Sequence, residues 1–325
     1  MKDQKQTKPI NTSLGDKAGQ GLTDIRFDYH KPVLLNECMD GLNIQPDGVY
    51  VDCTFGGGGH SSVILQQLNE HGKLVAFDQD EDARKNLPGD ERVIFVPQNF
   101  RHLQRFLRLH KITKVNGILA DLGVSSHQFD EAGRGFSTRF DASLDMRMDQ
   151  RQKNTAADIL KNFSELQLHK MFEQYGEVTN AKTLAKTIVA QRSLAPIRTI
   201  NEFKTAVHAV VKGNPQKYFA QVFQALRIEV NDELGALKEL LEQTVNLLHP
   251  GGRVAIITFH SLEDRIVKSF FRDGTFENTA IDDVYGHRFD NPFKVITKKP
   301  ITATELELKE NARSRSAKLR VAEMK

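Results

Sequence analysis

Four consecutive glycines, residues 56–59, form the clearest candidate ligand site in the sequence. They follow a short apolar run and precede a helical pattern, and glycine lets the backbone adopt positive φ and approach a ligand closely. The GxGxxG fingerprint of dinucleotide enzymes is matched only in part, because Ser61 stands where the last glycine belongs. Asp52, four residues before Gly56, would repel a pyrophosphate and attract the ammonium and sulfonium groups of S-adenosylmethionine. The turn therefore favours a cationic cofactor.

Two further positions extend this candidate site. Asp78 ends the second apolar run, 19 residues after Gly59, close to the roughly 20 expected for an acid that accepts hydrogen bonds from ribose hydroxyls. Phe100, at the end of the third apolar run, could stack on an adenine, although an aromatic residue there is more often part of the core. The segment DLGVSS, residues 121–126, ends the fourth run. In an open α/β sheet, the carboxyl ends of the strands are where the reacting groups should gather.

The elements that would position these residues alternate between strand and helix. The strand patterns are VYVD (49–52), KLVAFDQD (73–80), RVIFVPQNF (92–100), VNGILADLG (115–123), VAIITF (254–259) and AKLRVAEM (317–324). The first four are separated by helical stretches, which predicts a parallel sheet covered on both faces.

The alternation stops after Gly123 and resumes with the strand at residues 254–259. Amphipathic helical patterns fill most of the interval, including a capping box at Thr199 and Glu202 and a helix that Pro215 opens. We therefore expect a sheet domain formed by residues 30–130 and 223–325, split by a helical insertion at residues 131–222. Residues 1–29 are polar and predicted to be a disordered extension.

Composition excludes several classes of protein. The 325 residues carry a formal net charge of +3, typical of a globular protein of about two domains. Cys38 and Cys53, the two cysteines, are too few for a disulfide framework and favour the reducing cytoplasm. No apolar run approaches the roughly 18 residues of a membrane span. Positive charge is concentrated in residues 294–325, which hold nine Lys or Arg against four Asp or Glu.

Nine segments, in this order, resemble the RsmH (MraW) family of bacterial ribosomal RNA small-subunit methyltransferases. They are HKPVLLNE (30–37), VDCTFGGGGHS (51–61), DLGVSSHQFD (121–130), GRGFS (133–137), LDMRMD (144–149), FQALRIEVNDEL (223–234), HPGGR (249–253), FHSLEDRIVK (259–268) and NARSRSAKLR (311–320).

The resemblance implies an α/β fold with a class I Rossmann-like methyltransferase sheet. Because every implied cofactor residue lies at or before Gln128, we expect the inserted all-helical domain to recognise the RNA substrate. The resemblance also implies transfer of a methyl group from S-adenosylmethionine to N4 of a cytidine in the decoding region of small-subunit ribosomal RNA. The partner would be that RNA, within an assembled or nearly assembled small subunit in the cytoplasm. Oligomeric state stays open, a homodimer included. The implied cofactor residues are Gly58, Gly59, His60, Asp78, Phe100, Asp121 and Gln128.

Asp121 is also the candidate for orienting the cytosine N4, a role that a backbone carbonyl of the DLGVSS loop could fill instead. No catalytic metal is expected: His60, His260, Glu263 and Asp264 lack the spacing of a tight ligand cluster. Two other classes stay open. A nicotinamide dehydrogenase would explain the glycine turn and Asp78 but not Asp52, and a non-catalytic RNA-binding assembly factor would explain the basic tail.

Two groups of basic residues are candidate contacts for RNA phosphates. Near the DLGVSS loop they are Arg134, Arg139 and Arg147, for which pairing with neighbouring acids is an equal alternative. At the C-terminus they are Arg313, Arg315, Lys318 and Arg320, for which a solvated hairpin loop leading into the last strand is the alternative. Alternation along the last strand predicts that its two cations, Lys318 and Arg320, point to solvent.

Overall fold

The computed structural model describes residues 32–276 and 290–325. The predicted disordered extension, residues 1–29, lies outside the described residues, as do the first two residues of the predicted sheet domain, at positions 30 and 31. None of the described helices combines the length and the apolarity needed to cross a bilayer.

A seven-stranded sheet with the order β3-β2-β1-β4-β5-β7-β6 forms the centre of the fold. The strands are β1 (Val49–Asp52), β2 (Lys73–Phe77), β3 (Val93–Val96), β4 (Val115–Asp121), β5 (Leu248–Thr258), β6 (Phe293–Val295) and β7 (Lys318–Met324). The first five run parallel, and β7 is antiparallel to both β5 and β6. The predicted α/β class and parallel sheet are confirmed. Strand order reverses between β1 and β4, which places a crevice at their carboxyl ends.

Helices cover both faces of the sheet. The helices are α1 (Leu35–Leu42), α2 (Gly59–Gln67), α3 (Leu103–Leu109), α4 (Ser126–Asp130), α5 (Ala156–Asn162), α6 (Glu165–Gln174), α7 (Ala181–Leu194), α8 (Ile200–Val207), α9 (Pro215–Asn231), α10 (Glu233–Leu247), α11 (Ser261–Asp273) and α12 (Glu305–Glu310). One apolar cluster packs α3, α10 and α11 on the sheet. Another packs α1 and α2 on the opposite face.

The described segment between β4 and β5 is helical and contains a separate apolar cluster. Buried side chains of α5–α9 form most of that cluster. The predicted capping box at Thr199 and Glu202 and the helix start at Pro215 are both present. The predicted boundary at 222/223 falls within α9, whose Val222 and Phe223 both pack into this cluster.

The prediction that Arg320 points to solvent is wrong. Its exposed fraction is 6%, and its Nε donates a hydrogen bond to Asp264 Oδ1 at 2.6 Å. Lys318 Nζ lies 3.5 Å from the other carboxylate oxygen of Asp264. The reason is topological: β7 lies between β5 and β6, with α1 and α11 packed on it, so alternation along this strand turns side chains toward covered faces on both sides.

Candidate active site

A cavity of about 730 Å³ opens at the carboxyl ends of β1, β2 and β4. Its volume lies within the range of small-molecule and cofactor sites. Six of the seven predicted cofactor residues line it: Gly59, His60, Asp78, Phe100, Asp121 and Gln128. Gly58 does not. The topology therefore brings together residues from five separate stretches of sequence.

The glycine turn is shaped by two different requirements. Gly56 and Gly58 adopt φ of 51° and 75°, in the left-handed region that favours glycine. At Gly59, which begins α2, a Cβ atom would lie 2.3 Å from Pro32 Cγ. Gly58 therefore serves the conformation of the turn, whereas Gly59 is needed for close packing at the wall of the cavity.

Asp52 lies beneath the turn and does not line the cavity. Its side chain accepts hydrogen bonds from Ser61 Oγ at 2.8 Å and from the backbone N–H of Thr54 at 3.0 Å, and its exposed fraction is 1%. The sequence suggested that Asp52 selects a cationic ligand. The structure makes it a bridge between β1 and α2, and its charge acts on the cavity only at a distance.

Asp78 holds the turn against the end of β2. Its carboxylate accepts hydrogen bonds from the backbone N–H groups of Gly56 at 2.7 Å and Asp80 at 2.8 Å. Burial raises the pKa of Asp78 to about 7, although these two hydrogen bonds act in the opposite direction. Each carboxylate oxygen has a second lone pair. Asp78 can therefore organise the turn and still accept hydrogen bonds from a ligand.

Asp121, the last residue of β4, presents an unpartnered polar atom. Its backbone N–H donates to Thr54 Oγ1 at 2.7 Å, but its buried Oδ1 has no hydrogen-bond partner among the described residues. Burial raises the pKa of Asp121 to about 8, and the charges of Asp52 and Glu263 act in the same direction. A buried oxygen left unpaired is costly, so this atom is placed to meet a ligand.

His60 lies beside Asp121, with Nδ1 3.9 Å from Oδ2. Its Nε2 is 3.0 Å from the carbonyl oxygen of Val33. Burial lowers the pKa of His60, against the opposing charge of Asp52. The imidazole is therefore neutral near pH 7, donating from Nε2 and leaving Nδ1 as an acceptor toward the cavity side.

Asp80, which lines the cavity, connects it by hydrogen bonds to the segment between β4 and β5. This buried carboxylate accepts hydrogen bonds from Gln128 Nε2 and Arg134 Nη1, both at 2.8 Å. Arg134 also donates to the carbonyl oxygens of Arg147 and Met148, at 3.0 and 3.1 Å. Gln128 thus orients Asp80, and Arg134 is a buried structural cation rather than a free phosphate ligand.

The other two arginines predicted to contact phosphates near the DLGVSS loop, Arg147 and Arg139, differ in their partners. Arg147 Nε donates to Asp145 Oδ1 at 2.7 Å, which matches the paired alternative. Arg139 is exposed, and its Cζ lies 5.8 Å from the centre of the Phe129 ring.

Sequence reasoning missed one part of the site, at the starts of α10 and α11. Glu233 and Glu263 line the cavity, and their carboxylate oxygens lie within 4.8 Å of each other and of a His260 nitrogen. Arg227 donates to Glu233 at 2.8 and 3.0 Å, and His260 Nε2 lies 3.2 Å from Glu263 Oε1. Burial alone would raise the pKa of Glu263, but His260 and Arg227 bring it below its ordinary value.

Glu233 thus has a cationic partner in Arg227, and Glu263 lies beside His260, whose buried Nε2 makes no hydrogen bond among the described residues. The absence of a catalytic metal stays a prediction. From the sequence, His260 and Glu263 are named only as residues that lack the spacing of a metal cluster, and Glu233, which follows a long helix, carries no recognisable spacing.

A sequence profile of the MraW methylase family matches residues 28–325. The ribosomal RNA small subunit methyltransferase H of Flavobacterium johnsoniae is 53% identical over 298 residues, covering 91% of this chain and 98% of the relative. The protein of the same name from Bacteroides thetaiotaomicron is 52% identical with the same coverage. That of Christiangramia forsetii is 52% identical over 299 residues, covering 92% of this chain and 98% of the relative.

Proposed function

This chain belongs to the MraW methylase family, and we propose that it transfers the methyl group of S-adenosylmethionine to N4 of a cytidine in the decoding region of bacterial 16S ribosomal RNA. The family resemblance predicted from the nine motifs is confirmed. The name that the three relatives share, ribosomal RNA small subunit methyltransferase H, supports small-subunit ribosomal RNA as the molecule that is methylated.

The proposed cofactor is supported above all by the unpartnered Oδ1 of Asp121 in a cavity rich in carboxylates. Asp78, Asp121, Glu233 and Glu263 all line that cavity, and such a lining suits a ligand with two positive groups. Asp78 would accept hydrogen bonds from the ribose hydroxyls, and Phe100 would pack on the adenine. Gly58, Gly59 and His60 would shape the part of the site that holds the methionine moiety.

When bound, the cofactor supplies an electrophilic methyl group on sulfonium. The residues of the chain then contribute mainly by alignment, because holding the reacting atoms in line removes much of the entropic cost. The lone pair of cytosine N4 is delocalised into the ring. Asp121, at the carboxyl end of β4, would accept a hydrogen bond from an N4 hydrogen and so direct that lone pair. No strong base is required, since the proton can leave after the methyl group has arrived.

The acceptor base has to leave its stack to reach Asp121, at a cost of a few kcal/mol if it is paired. We assign RNA recognition to the helical segment, residues 131–222, which closes the cavity through Arg134 and Met148. The proposed substrate is an assembled or nearly assembled small subunit in the cytoplasm, where the decoding region already has its folded shape.

The test is methylation of naked 16S ribosomal RNA and of small subunits that lack the modification, with analysis of the nucleosides by mass spectrometry. The proposal predicts N4-methylcytidine, formed faster on subunits than on naked RNA. A non-catalytic assembly factor would bind RNA and cofactor and yield no methylated nucleoside. A modified base other than cytidine would overturn the assignment of the acceptor.

A further inference from the structure

An aromatic ring flanked by two arginines lies at the rim of the cavity. Phe129, in α4, directly follows Gln128, which lines the cavity. The Cζ atoms of Arg139 and Arg313 lie 5.8 and 5.7 Å from the centre of its ring. Arg313 also lines the cavity. We propose that these three residues, here called the rim cluster, bind a single-stranded RNA nucleotide next to the one that enters the cavity.

This inference rests on the proposed function and adds a subsite to it. The base would stack on the guanidinium and ring planes, and the guanidinium N–H groups would contact the flanking phosphate. Interleaved arginine and aromatic side chains are the usual platform for single-stranded nucleic acid, because every base offers a face for stacking.

The distribution of charge favours this rim over the other basic residues. Arg134, Arg147 and Arg320 have their guanidinium groups bonded to Asp80, Asp145 and Asp264. Arg139 and Arg315 are exposed and form no ion pair with a described residue. Among the basic residues predicted to contact RNA, Arg139 thus keeps its charge available and lies over Phe129, next to the cavity.

Arg313 pairs with an acid of α4 and still keeps N–H donors available for a phosphate. One of its terminal nitrogens donates to both carboxylate oxygens of Asp130 at 2.9 Å, which holds the guanidinium over Phe129. A guanidinium has five N–H donors, so this pairing leaves others for a phosphate. Phe140, with 52% of its surface exposed, directly follows Arg139 in the sequence.

The path of the RNA strand links the rim to the cavity. A nucleotide turned into the cavity keeps its neighbours attached through the backbone, so those neighbours must cross the rim. Arg313 belongs to both surfaces, which places the rim cluster within one nucleotide of the entrance. In the alternative interpretation, the rim cluster only joins α4 to the C-terminal segment and binds no RNA. This purely structural contact predicts that substitutions in the rim cluster lower the thermal stability.

Substitutions at two residues of the rim cluster test the proposal. Phe129→Leu keeps an apolar side chain but removes the stacking face, and Arg139→Ala removes one free cation. We expect Phe129→Leu to weaken binding of an RNA oligonucleotide by roughly 5- to 150-fold, the range for loss of one base stack. Arg139→Ala should also lower the slope of log affinity against log salt by about 0.7. Arg139→Lys should restore the slope while leaving the affinity reduced.

Arg108→Ala is the matched control, because Arg108 is exposed near the end of α3, which leads into β4 and so lies toward the amino ends of the parallel strands, away from the cavity at their carboxyl ends. All variants should keep the melting temperature and the S-adenosylhomocysteine affinity of the parent. Unchanged RNA affinity and salt slope in both rim variants, with methylation by the parent intact, would refute the rim cluster alone. Loss of thermal stability or of cofactor affinity would instead indicate the purely structural contact between α4 and the C-terminal segment. Failure of the parent to methylate any RNA would instead overturn the proposed function.

Discussion

Cofactor binding at pH 7 is expected to release protons, and Asp121→Asn is the change that reveals their source. In the ligand-free protein, burial holds the pKa of Asp121 at about 8 and that of Asp78 at about 7. Both carboxyls therefore carry protons near neutrality. A cation close to Asp121 and ribose hydroxyls at Asp78 both favour the ionised forms, so binding should expel the protons.

The size of the effect follows from these pKa values. At pH 7 an acid of pKa 8 is about 0.9 protonated and one of pKa 7 is about 0.5 protonated. The parent should thus release up to about 1.4 protons per cofactor, and Asp121→Asn about 0.5. Ionising Asp121 at pH 7 costs about 1.4 kcal/mol, so the contribution of Asp121 should raise the affinity roughly eightfold between pH 7 and pH 8.5, and that of Asp78 about a further twofold. The variant lacks the contribution of Asp121 to this pH dependence.

Isothermal titration of S-adenosylmethionine in buffers of different ionisation enthalpy measures the released protons directly. Asp78→Asn is the matched control, because it removes the smaller contribution and keeps the larger one. Equal proton release by the parent and by Asp121→Asn would show that Asp121 is not the source of the protons, because it would then be ionised already or remote from the cation.

The raised pKa of Asp121 also makes the stability of the ligand-free protein depend on pH. The folded-state pKa of Asp121 lies above its unfolded value of 3.8, so its contribution to stability is full below that value and is lost as pH rises through about 8. Asparagine at this position cannot ionise, so the variant Asp121→Asn does not lose this stability as pH rises. We expect the variant to melt at a higher temperature than the parent at pH 8, and by a smaller margin at pH 5. Thermal unfolding at the two pH values measures this difference.

Four further predictions follow from individual contacts. Asp78→Ala should weaken S-adenosylhomocysteine binding by roughly 1.5–3 kcal/mol in calorimetry, because a charged acceptor for the ribose is lost; unchanged affinity would remove Asp78 from the site. Arg134→Ala leaves Asp80 buried without its cation and should cost about 3–5 kcal/mol in urea unfolding, a loss that Arg134→Lys should partly recover. Arg320→Ala should cost on the order of 2 kcal/mol, since Asp264 keeps Lys318 nearby, and should not change the salt dependence of RNA binding as a phosphate ligand would. Dialysis against a chelator should leave methylation intact, and a stoichiometric divalent ion by mass spectrometry would contradict this.

The residues that were predictable from sequence lie at fixed distances along one βαβ unit. The glycine turn and Asp78 belong to adjacent strands and one connecting helix, so local spacing determines their approach. Glu233 and Glu263 reach the same cavity from two helices separated from that unit by the segment between β4 and β5. No spacing along the chain indicates that convergence.

The wrong expectation for Arg320 has a similar origin. Alternation along a strand separates two faces, but whether a face meets solvent depends on the position of the strand in the sheet. The composition of residues 317–324 resembles that of an edge strand, whereas β7 lies inside the sheet. Asp52 shows the converse case: its position before the turn was recognised, but its partner Ser61 lies in α2, and that contact takes its side chain away from the cavity.

The proposed function is tested most directly by transfer of an isotopically labelled methyl group from S-adenosylmethionine to unmodified small subunits, with the modified nucleotide mapped by mass spectrometry. We expect the label on N4 of one cytidine in the decoding region with the parent protein, and strongly reduced labelling with Asp121→Asn. Label on any other atom or base, or undiminished transfer by that variant, would contradict the proposed function.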